Sequence, residues 1–355
     1  MRLVLRRISL VLLAIAIPLL LGEGLVRMMG LSPELRRIRM GQRSSLFRFS
    51  ENPVMGYELR EGAVDGNSYH SEDSKTNSHG QWDREREYEK PPGRKRILVL
   101  GDSVVFGDDV YDFKNTMTRV LERMLDDEDI EVLNFGVTGY CTRAEVELLK
   151  VKGLRYKPDL VILLFVWNDY DSSRNDLGRT VEATQPEAAK WFFVRSALFR
   201  MLCLQFDLFG FREGAKQQKA YSDAIGPDNV KSGLALLKEL SKEHNFEVAV
   251  AIWPQFSREG IVDVESRGIE DRNDYRIVGP EQSLAIEELA GEQGFPTFRL
   301  SKFFLEHSEV PADEVKAYYT VDGMHVTEEG CRMAARALKS ILDQNPELLD
   351  GHGRP

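Results

Sequence analysis

A short apolar segment followed by a Gly-Asp-Ser turn constrains the fold of this chain more than any other feature. Residues 97–100 read Ile-Leu-Val-Leu and end at Gly101, which is typical of a buried strand. The chain then turns through Asp102 and presents Ser103 at the carboxyl edge of the predicted strand, where open α/β sheets bind their ligands. In an alternative interpretation, Asp102 or Ser103 only caps the next helix.

A second informative pair, Asp322 and His325, precedes the last predicted helix. A serine hydroxyl is a weak nucleophile until a neighbouring imidazole takes its proton, and a carboxylate on the other ring nitrogen holds that imidazole in one tautomer. An Asp three residues before a His supplies both groups from one turn. The segment can also be interpreted as a surface loop whose Thr327 caps the last helix, and the two interpretations are compatible.

Four sequence blocks stand out along the chain: Gly101-Asp102-Ser103 with Gly107, residues 134–139 (Asn-Phe-Gly-Val-Thr-Gly), Trp167-Asn168-Asp169, and Asp322 with His325. In this order they resemble the SGNH (GDSL-type) hydrolase superfamily, and the N-terminal hydrophobic segment resembles that of its membrane-anchored bacterial members. The resemblance covers residues 96–342. It implies a flavodoxin-like three-layer α/β/α sandwich around a central parallel five-stranded sheet, the SGNH hydrolase fold.

The resemblance also implies roles for individual residues. Ser103 is expected to be the nucleophile of a triad that Asp322 and His325 complete. The oxyanion hole is expected to combine the backbone N–H groups of Ser103 and Gly139 with the side-chain amide of Asn168. No cofactor and no metal is expected.

Two details distinguish this chain from related patterns. The third block commonly reads Gly-x-Asn-Asp in the SGNH family, whereas Val166 and Trp167 precede Asn168 here, so we expect the indole to affect substrate size more than catalysis. The nucleophile turn of the α/β-hydrolase fold needs a glycine two residues after the serine, and Val105 occupies that position. The better-known serine-hydrolase architecture is therefore disfavoured.

Strand and helix patterns alternate from residue 96 onwards, which indicates a parallel sheet with helices on both faces. The predicted strands are 96–100, 131–134, 159–166, 247–253 and 297–300. Helical spacing of apolar residues predicts helices over 115–125, 142–154, 228–244, 281–293 and 327–342.

The first 30 residues differ in kind from the rest. Residues 8–22 are uncharged and apolar, and the stretch reaches residues 8–26 if Glu23 lies at the membrane interface. No Ala-x-Ala-like cleavage site is present between residues 20 and 30, which favours an uncleaved, hydrophobic anchor helix over a signal peptide. Arginines on both sides leave the orientation open, but the resemblance implies a catalytic domain outside the cytoplasm. A secreted protein, if the segment is cleaved, and a buried helix remain alternatives.

These patterns predict four regions: a membrane anchor over residues 1–30, a connecting region over 31–95 that packs partly on the core, a catalytic domain over 96–345, and a polar tail over 346–355. The catalytic domain carries an insertion over 170–228. We expect amphipathic helices packed on the core there, with a lid over the active site or a surface resting on the membrane as alternatives.

Net charge and cysteine spacing disfavour some classes of function. The net charge of −10 disfavours nucleic-acid binding, which usually needs a basic face. Cys141, Cys203 and Cys331 form no metal or redox spacing. The resemblance to the SGNH family implies a serine esterase that hydrolyses short acyl or O-acetyl esters, with carbohydrate esters as one class of substrate. An O-acyltransferase acting on a cell-envelope polysaccharide would use the same groups, and a catalytically silent module that binds a glycan or a protein is the alternative from another class.

Overall fold

The computed structural model describes residues 2–32, 46–64, 71, 74–170, 186–226, 228–262 and 281–350. Its strands are β1 (Phe47–Phe49), β2 (Tyr57–Leu59), β3 (Lys95–Gly101), β4 (Ile130–Gly136), β5 (Leu160–Phe165), β6 (Glu247–Ile252), β7 (Gln255–Ser257), β8 (Gly260–Val262) and β9 (Thr297–Arg299). Its helices are α1 (Arg2–Met28), α2 (Ser103–Phe106), α3 (Met117–Leu125), α4 (Thr142–Val151), α5 (Glu187–Arg195), α6 (Ala197–Phe206), α7 (Phe211–Ile225), α8 (Asn229–His244), α9 (Glu281–Glu292), α10 (Leu300–His307), α11 (Val315–Tyr319), α12 (Glu328–Gln344) and α13 (Glu347–Asp350).

Five parallel strands form the central sheet in the order β4-β3-β5-β6-β9. All five predicted strands are confirmed, with differences at their ends. The first strand begins at Lys95, one residue earlier than predicted, and Leu300 begins α10 rather than ending β9. Antiparallel pairs β1-β2 and β7-β8 lie outside this sheet.

The sheet is buried on both faces, as parallel sheets usually are. Successive side chains of β3 alternate between two apolar clusters: Ile97 and Val99 belong to one, Leu98 and Leu100 to the other. Helices α3, α10 and α12 cover the first face, and α4, α8 and α9 cover the second. The predicted three-layer α/β/α sandwich is confirmed.

The described residues that precede β3 pack on this sandwich. Trp82 is fully buried and stacks on Phe106 of α2, with ring centroids 5.0 Å apart. Arg86 is also buried, pairs with Asp83 at 3.0 Å and donates a hydrogen bond of 2.7 Å to the carbonyl of Val132 in β4. These contacts attach the segment to α2, which begins at Ser103, and to β4, the strand beside β3.

The C-terminal residues differ from a simple polar tail. Helix α13 lies within the stretch expected to be the tail, and Leu348 is buried in the core. Lys95 Nζ donates to the carbonyl of Leu349 at 2.9 Å. The chain therefore packs against the amino end of β3 up to Asp350.

Helix α1 contains a 20-residue apolar segment, Ser9–Met28, that is long enough to cross a membrane. Its side chains are almost all exposed. A signal sequence near the N-terminus has the same length and composition, so these properties alone are consistent with either an anchor or a cleaved segment.

Candidate active site

Ser103 is the first residue of α2 and directly follows the tight turn from β3 at Asp102. Asp102 caps α2 by accepting a hydrogen bond of 2.9 Å from the backbone N–H of Val104, so the capping interpretation of Asp102 is confirmed. A Cβ at Gly101 would overlap with the side chain of Val105, and a Cβ at Gly136 in the neighbouring strand would overlap with the backbone of α2. The turn therefore needs glycine at both positions, and it holds Ser103 at 3% exposure.

The side chain of Asn134 fastens this turn to β4. Its Nδ2 donates to the carbonyl of Val105 at 2.9 Å, and its Oδ1 accepts from the N–H of Gly136 at 2.9 Å. Asn134 belongs to the second sequence block, but this positioning contact is not predicted from the sequence. An asparagine at the end of a strand is a weak signal, because its partner lies in another element.

His325 and Asp322 come together with Ser103 in one chain of hydrogen bonds. His325 Nε2 is 3.0 Å from Ser103 Oγ, and His325 Nδ1 is 2.7 Å from Asp322 Oδ2. The other oxygen of Asp322 accepts from the N–H groups of Met324 and His325, each at 2.9 Å. With Nδ1–H donating to the carboxylate, Nε2 has a free lone pair for the serine hydroxyl.

The loop that carries these residues is shaped by its own backbone. Gly323 has a φ of +105°, which strongly favours glycine, and Val321 N–H donates to the carbonyl of His325 at 2.8 Å. Thr327 caps α12 through a hydrogen bond of 3.1 Å from the N–H of Gly330. The loop is therefore both capped by Thr327, as the alternative interpretation predicts, and folded so that His325 lies beside Ser103.

Carboxylates around His325 favour its charged form. Burial opposes protonation of the ring, but the hydrogen bond to Asp322 and the nearby charges of Asp108 and Asp102 outweigh it and raise the pKa of His325. Burial likewise opposes the charge of Asp322, while the hydrogen bonds that it accepts hold its pKa below the usual range. The pair is thus arranged to stabilise an imidazolium next to a carboxylate.

The two other predicted oxyanion residues lie at the ends of the strands that flank β3. Gly139 follows β4 with a φ of +77°, and the N–H of Val137 donates to the carbonyl of Gly101 at 3.0 Å, which joins the two turns. Asn168 follows β5, and its Nδ2 donates to Asp102 Oδ2 at 2.8 Å. The same carboxylate oxygen is 3.4 Å from Ser103 Oγ, so Asn168 shares an acceptor with the serine.

Two fully buried carboxyl groups, Glu145 and Asp169, lie behind this site. Asp169 accepts from the N–H of Val166 at 3.2 Å, whereas neither oxygen of Glu145 has a hydrogen-bond partner among the described residues. Burial raises the pKa of both groups well above the ordinary value, and the charge of Asp102 adds to this effect. Glu145 is not among the residues predicted from the sequence, although it lies three and four residues before Leu148 and Leu149 on the apolar stripe of α4.

In the part of the chain that the structure describes, no group of three or more His, Cys, Asp or Glu side chains is placed to hold a metal ion. The three cysteines are buried and unpaired.

The family model described as the GDSL-like lipase/acylhydrolase family matches residues 99–333. This chain belongs to that family and is a hydrolase that acts on ester bonds, which confirms the resemblance described from the four blocks. The sequence matches none of the curated proteins with which it was compared.

Similar solved structures include three that share 14–16% of their residues with this chain. One is an acetyl xylan esterase, AlAXEase, at 15% identity, covering 70% of this chain and 99% of that chain with a TM-score of 0.41. TesA has 14% identity, the same two coverages and a TM-score of 0.41. A GDSL-like lipase from Bacteroides thetaiotaomicron has 16% identity, coverages of 72% and 92%, and a TM-score of 0.39.

The buried carboxyl of Glu145 predicts a specific dependence of stability on pH. Because the pKa of Glu145 is raised in the fold, its effect on stability is most favourable below the ordinary glutamate pKa and worsens as pH rises from there towards the folded pKa. Glu145→Gln has no proton to lose, so we expect it to raise the free energy of unfolding by about 1–3 kcal/mol at about pH 8, and by much less at about pH 4.

Urea unfolding of the full chain in detergent at the two pH values measures this difference. Glu239→Gln, on the exposed face of α8, is the matched control and should change little at either pH. A Glu145→Gln variant that is destabilised equally at both would contradict the assignment of a protonated, buried carboxyl.

Proposed function

We propose that Ser103, His325 and Asp322 form the catalytic triad through which this chain hydrolyses acyl esters. The observation that supports the proposal is the chain of hydrogen bonds of 2.7 Å and 3.0 Å from Asp322 through His325 to Ser103. Nucleophile, base and orienting carboxylate are within hydrogen-bonding distance in the order that acyl transfer needs. The raised pKa of His325 adds support, because a stronger base takes the serine proton more readily.

In the proposed first step, Ser103 Oγ attacks the ester carbonyl carbon while His325 Nε2 takes its proton. The negative oxygen of the tetrahedral intermediate accepts hydrogen bonds from the N–H groups of Ser103 and Gly139 and from the amide of Asn168, which has two N–H donors and uses one for Asp102. Asp322 stabilises the imidazolium. The intermediate then collapses, and the proton on His325 passes to the leaving alkoxide, which departs as the alcohol and leaves an acyl group on Ser103.

In the second step, His325 takes a proton from water and the resulting hydroxide attacks the acyl carbon. The same donors hold the second oxyanion, and the proton returns to Ser103 Oγ as the carboxylic acid is released. A sugar hydroxyl in place of water would give O-acyl transfer with the same proton movements. Apart from the ester and water, both steps use groups of this chain.

We propose a short acyl ester as the substrate, such as an O-acetyl group on a cell-envelope or extracellular polysaccharide. Trp167 precedes the proposed oxyanion donor Asn168 and is half-buried against the apolar cluster on that face of the sheet. A bulky indole at this position supports a small acyl group rather than a long chain.

We further propose that residues 8–26 anchor the catalytic domain to a membrane, outside the cytoplasm. The length and exposure of the apolar segment in α1 support this location. A reporter fused after Gly30 that is active only in the cytoplasm would contradict it.

Removing either the nucleophile or the base should abolish ester hydrolysis. We expect Ser103→Ala and His325→Ala each to lower kcat/KM for p-nitrophenyl acetate by about 10³-fold or more, because the proton transfer and the covalent step are lost together. The full chain in detergent is assayed with acetate and butyrate esters, and the acetate ester should be preferred.

Ser232→Ala and His307→Ala, at exposed helical positions, are matched controls and should keep full activity. Activity that survives in Ser103→Ala would place the nucleophile elsewhere. Acetyl transfer to a glycan acceptor without release of acetate would favour the acyltransferase alternative for the same triad.

The pH dependence of kcat/KM should report the environment of His325. Activity requires the neutral ring, so the rate should fall as pH drops through the raised pKa of His325. Asp322→Asn removes the hydrogen bond and charge that raise this pKa, so the acidic limb should move to lower pH while the maximal rate falls by up to about 10⁴-fold. Asp313→Asn, at an exposed position, should change neither, and an unmoved acidic limb in Asp322→Asn would contradict the proposed pairing.

A further inference from the structure

Helix α1 is attached to the insertion through the carboxylate of Glu23. One oxygen of Glu23 accepts from the N–H of Ala197 at 2.9 Å, and the other accepts from the N–H of Leu198 and the hydroxyl of Ser196, each at 2.8 Å. These donors form the first turn of α6, where N–H groups have no partner within the helix and the helix dipole favours an anion. Glu23 therefore satisfies an end of α6 that would otherwise need another acceptor.

Contacts on either side of Glu23 extend this attachment. Arg27 Nε pairs with the Glu23 carboxylate at 2.6 Å, and its Nη2 donates to the carbonyl of Arg195 at 2.9 Å. Gly22 lies against Leu198, because a Cβ there would be 3.2 Å from a Leu198 methyl carbon. Arg200 Nε donates to Ser32 Oγ at 2.9 Å. The last turns of α1 are thus held by the backbone carbonyl at the end of α5 and by backbone and side-chain groups at the start of α6.

Next to this attachment, the insertion exposes a set of large apolar side chains. Their exposed fractions lie between 40% and 66% for Trp191, Phe192, Val194, Phe206, Leu208 and Phe209, which we call the apolar platform. The C-terminal end of α1 exposes apolar side chains as well: Leu25, Met28, Met29 and Leu31. Along the chain, the platform residues therefore lie on both sides of the segment that contacts α1, the one described helix that is long enough to span a membrane.

The charge around the platform is opposite to that of the whole protein. The described segment 186–226 contains six Lys or Arg, of which Arg200 is buried, and four Asp or Glu, whereas the chain carries a net charge of −10. The guanidinium of Arg195 lies over the ring of Trp191, 4.5 Å from its centroid. Aromatic rings are enriched at the membrane–water interface, and basic side chains are attracted to anionic headgroups.

We propose that the apolar platform rests in the interface of an anionic bilayer, held at that depth by the contact between Glu23 and α6. The proposal depends on the membrane location of α1 proposed above and not on the identity of the catalytic residues. It requires that α1 is retained, because cleavage would leave the first turn of α6 without its acceptor. The occupant of the exposed aromatic surface is then lipid.

The platform is also linked to the catalytic edge of the sheet. Tyr221 of α7 is fully buried and lies 6.2 Å from the ring of Tyr57 between centroids. The hydroxyl of Tyr57 donates to the carbonyl of Thr138 at 2.8 Å, directly before Gly139. A surface fixed in the membrane interface would therefore set the orientation of the catalytic domain relative to the bilayer.

Tryptophan fluorescence quenching tests the contact with lipid. The full chain is reconstituted into vesicles of phosphatidylcholine and phosphatidylglycerol with brominated acyl chains, which quench an indole on contact. Helix α1 contains no tryptophan, and Trp191 is half exposed on the platform. We expect Trp191→Phe to remove most of the lipid-dependent quenching, whereas Trp253→Phe, a change at a core residue of 3% exposure, should retain it. Equal quenching in wild type and Trp191→Phe would overturn the proposal.

Hydrogen–deuterium exchange tests the attachment in the same vesicles. Glu23→Ala removes the acceptor while keeping a good helix former, and we expect faster exchange at residues 196–199 with loss of the Trp191 quenching. Glu187→Ala, which removes an exposed carboxylate paired only with Lys190, is the matched control and should exchange as the wild type does. Unchanged exchange in β5 would verify that the core is folded, and unchanged exchange at residues 196–199 in Glu23→Ala would overturn the proposal. Hydrolysis of a soluble ester should be unaffected in both variants.

Discussion

The arrangement of the site depends on the close backbone contact between β4 and α2. A side chain at position 136 would overlap with the backbone nitrogen of Phe106. Across the same gap, the side chain of Asn134 donates a hydrogen bond to the carbonyl of Val105, which follows Ser103. Ser103, the proposed nucleophile, begins a four-residue helix, so contacts with the neighbouring strands set its position rather than a long helix. A rigid, buried turn of this kind holds a reacting atom in place before substrate arrives.

The carboxyl groups around the site are the second constraint, and their effects differ between its exposed and its buried side. On the exposed side, Asp322 and Asp108 stabilise the charged form of His325. On the buried side, Glu145 and Asp169 lie so far from solvent that burial favours their neutral forms. Burial also raises the pKa of Asp102, while the hydrogen bonds that it accepts from the N–H of Val104 and the amide of Asn168 oppose that rise.

Outside the sandwich, the insertion contacts both α1 and the catalytic domain. The first N–H groups of its helix α6 donate to the Glu23 carboxylate of α1, and Tyr221 of its helix α7 packs against Tyr57, which contacts the second block. A helix dipole joins the insertion to α1, while apolar packing joins it to the catalytic domain. In the proposed arrangement, lipid covers the remaining apolar surface.

Local sequence patterns were sufficient for the parallel sheet, because the apolar run of β5 and the stripes of α4 and α12 each reflect burial of one element against the core. The candidate site residues could be named because four short blocks, which lie at the ends of successive strands or before the last helix, resemble those of the SGNH family. Glu145 shows the limit of such patterns. Its spacing in the sequence predicts a core-facing position, but its proximity to Asp102 and Asp169 results from the way α4 packs on the sheet. Glu23 and Ser196 are 173 residues apart, and nothing in either segment indicates the other. Tertiary packing alone creates such contacts, because donor and acceptor meet only after separate elements have found their places.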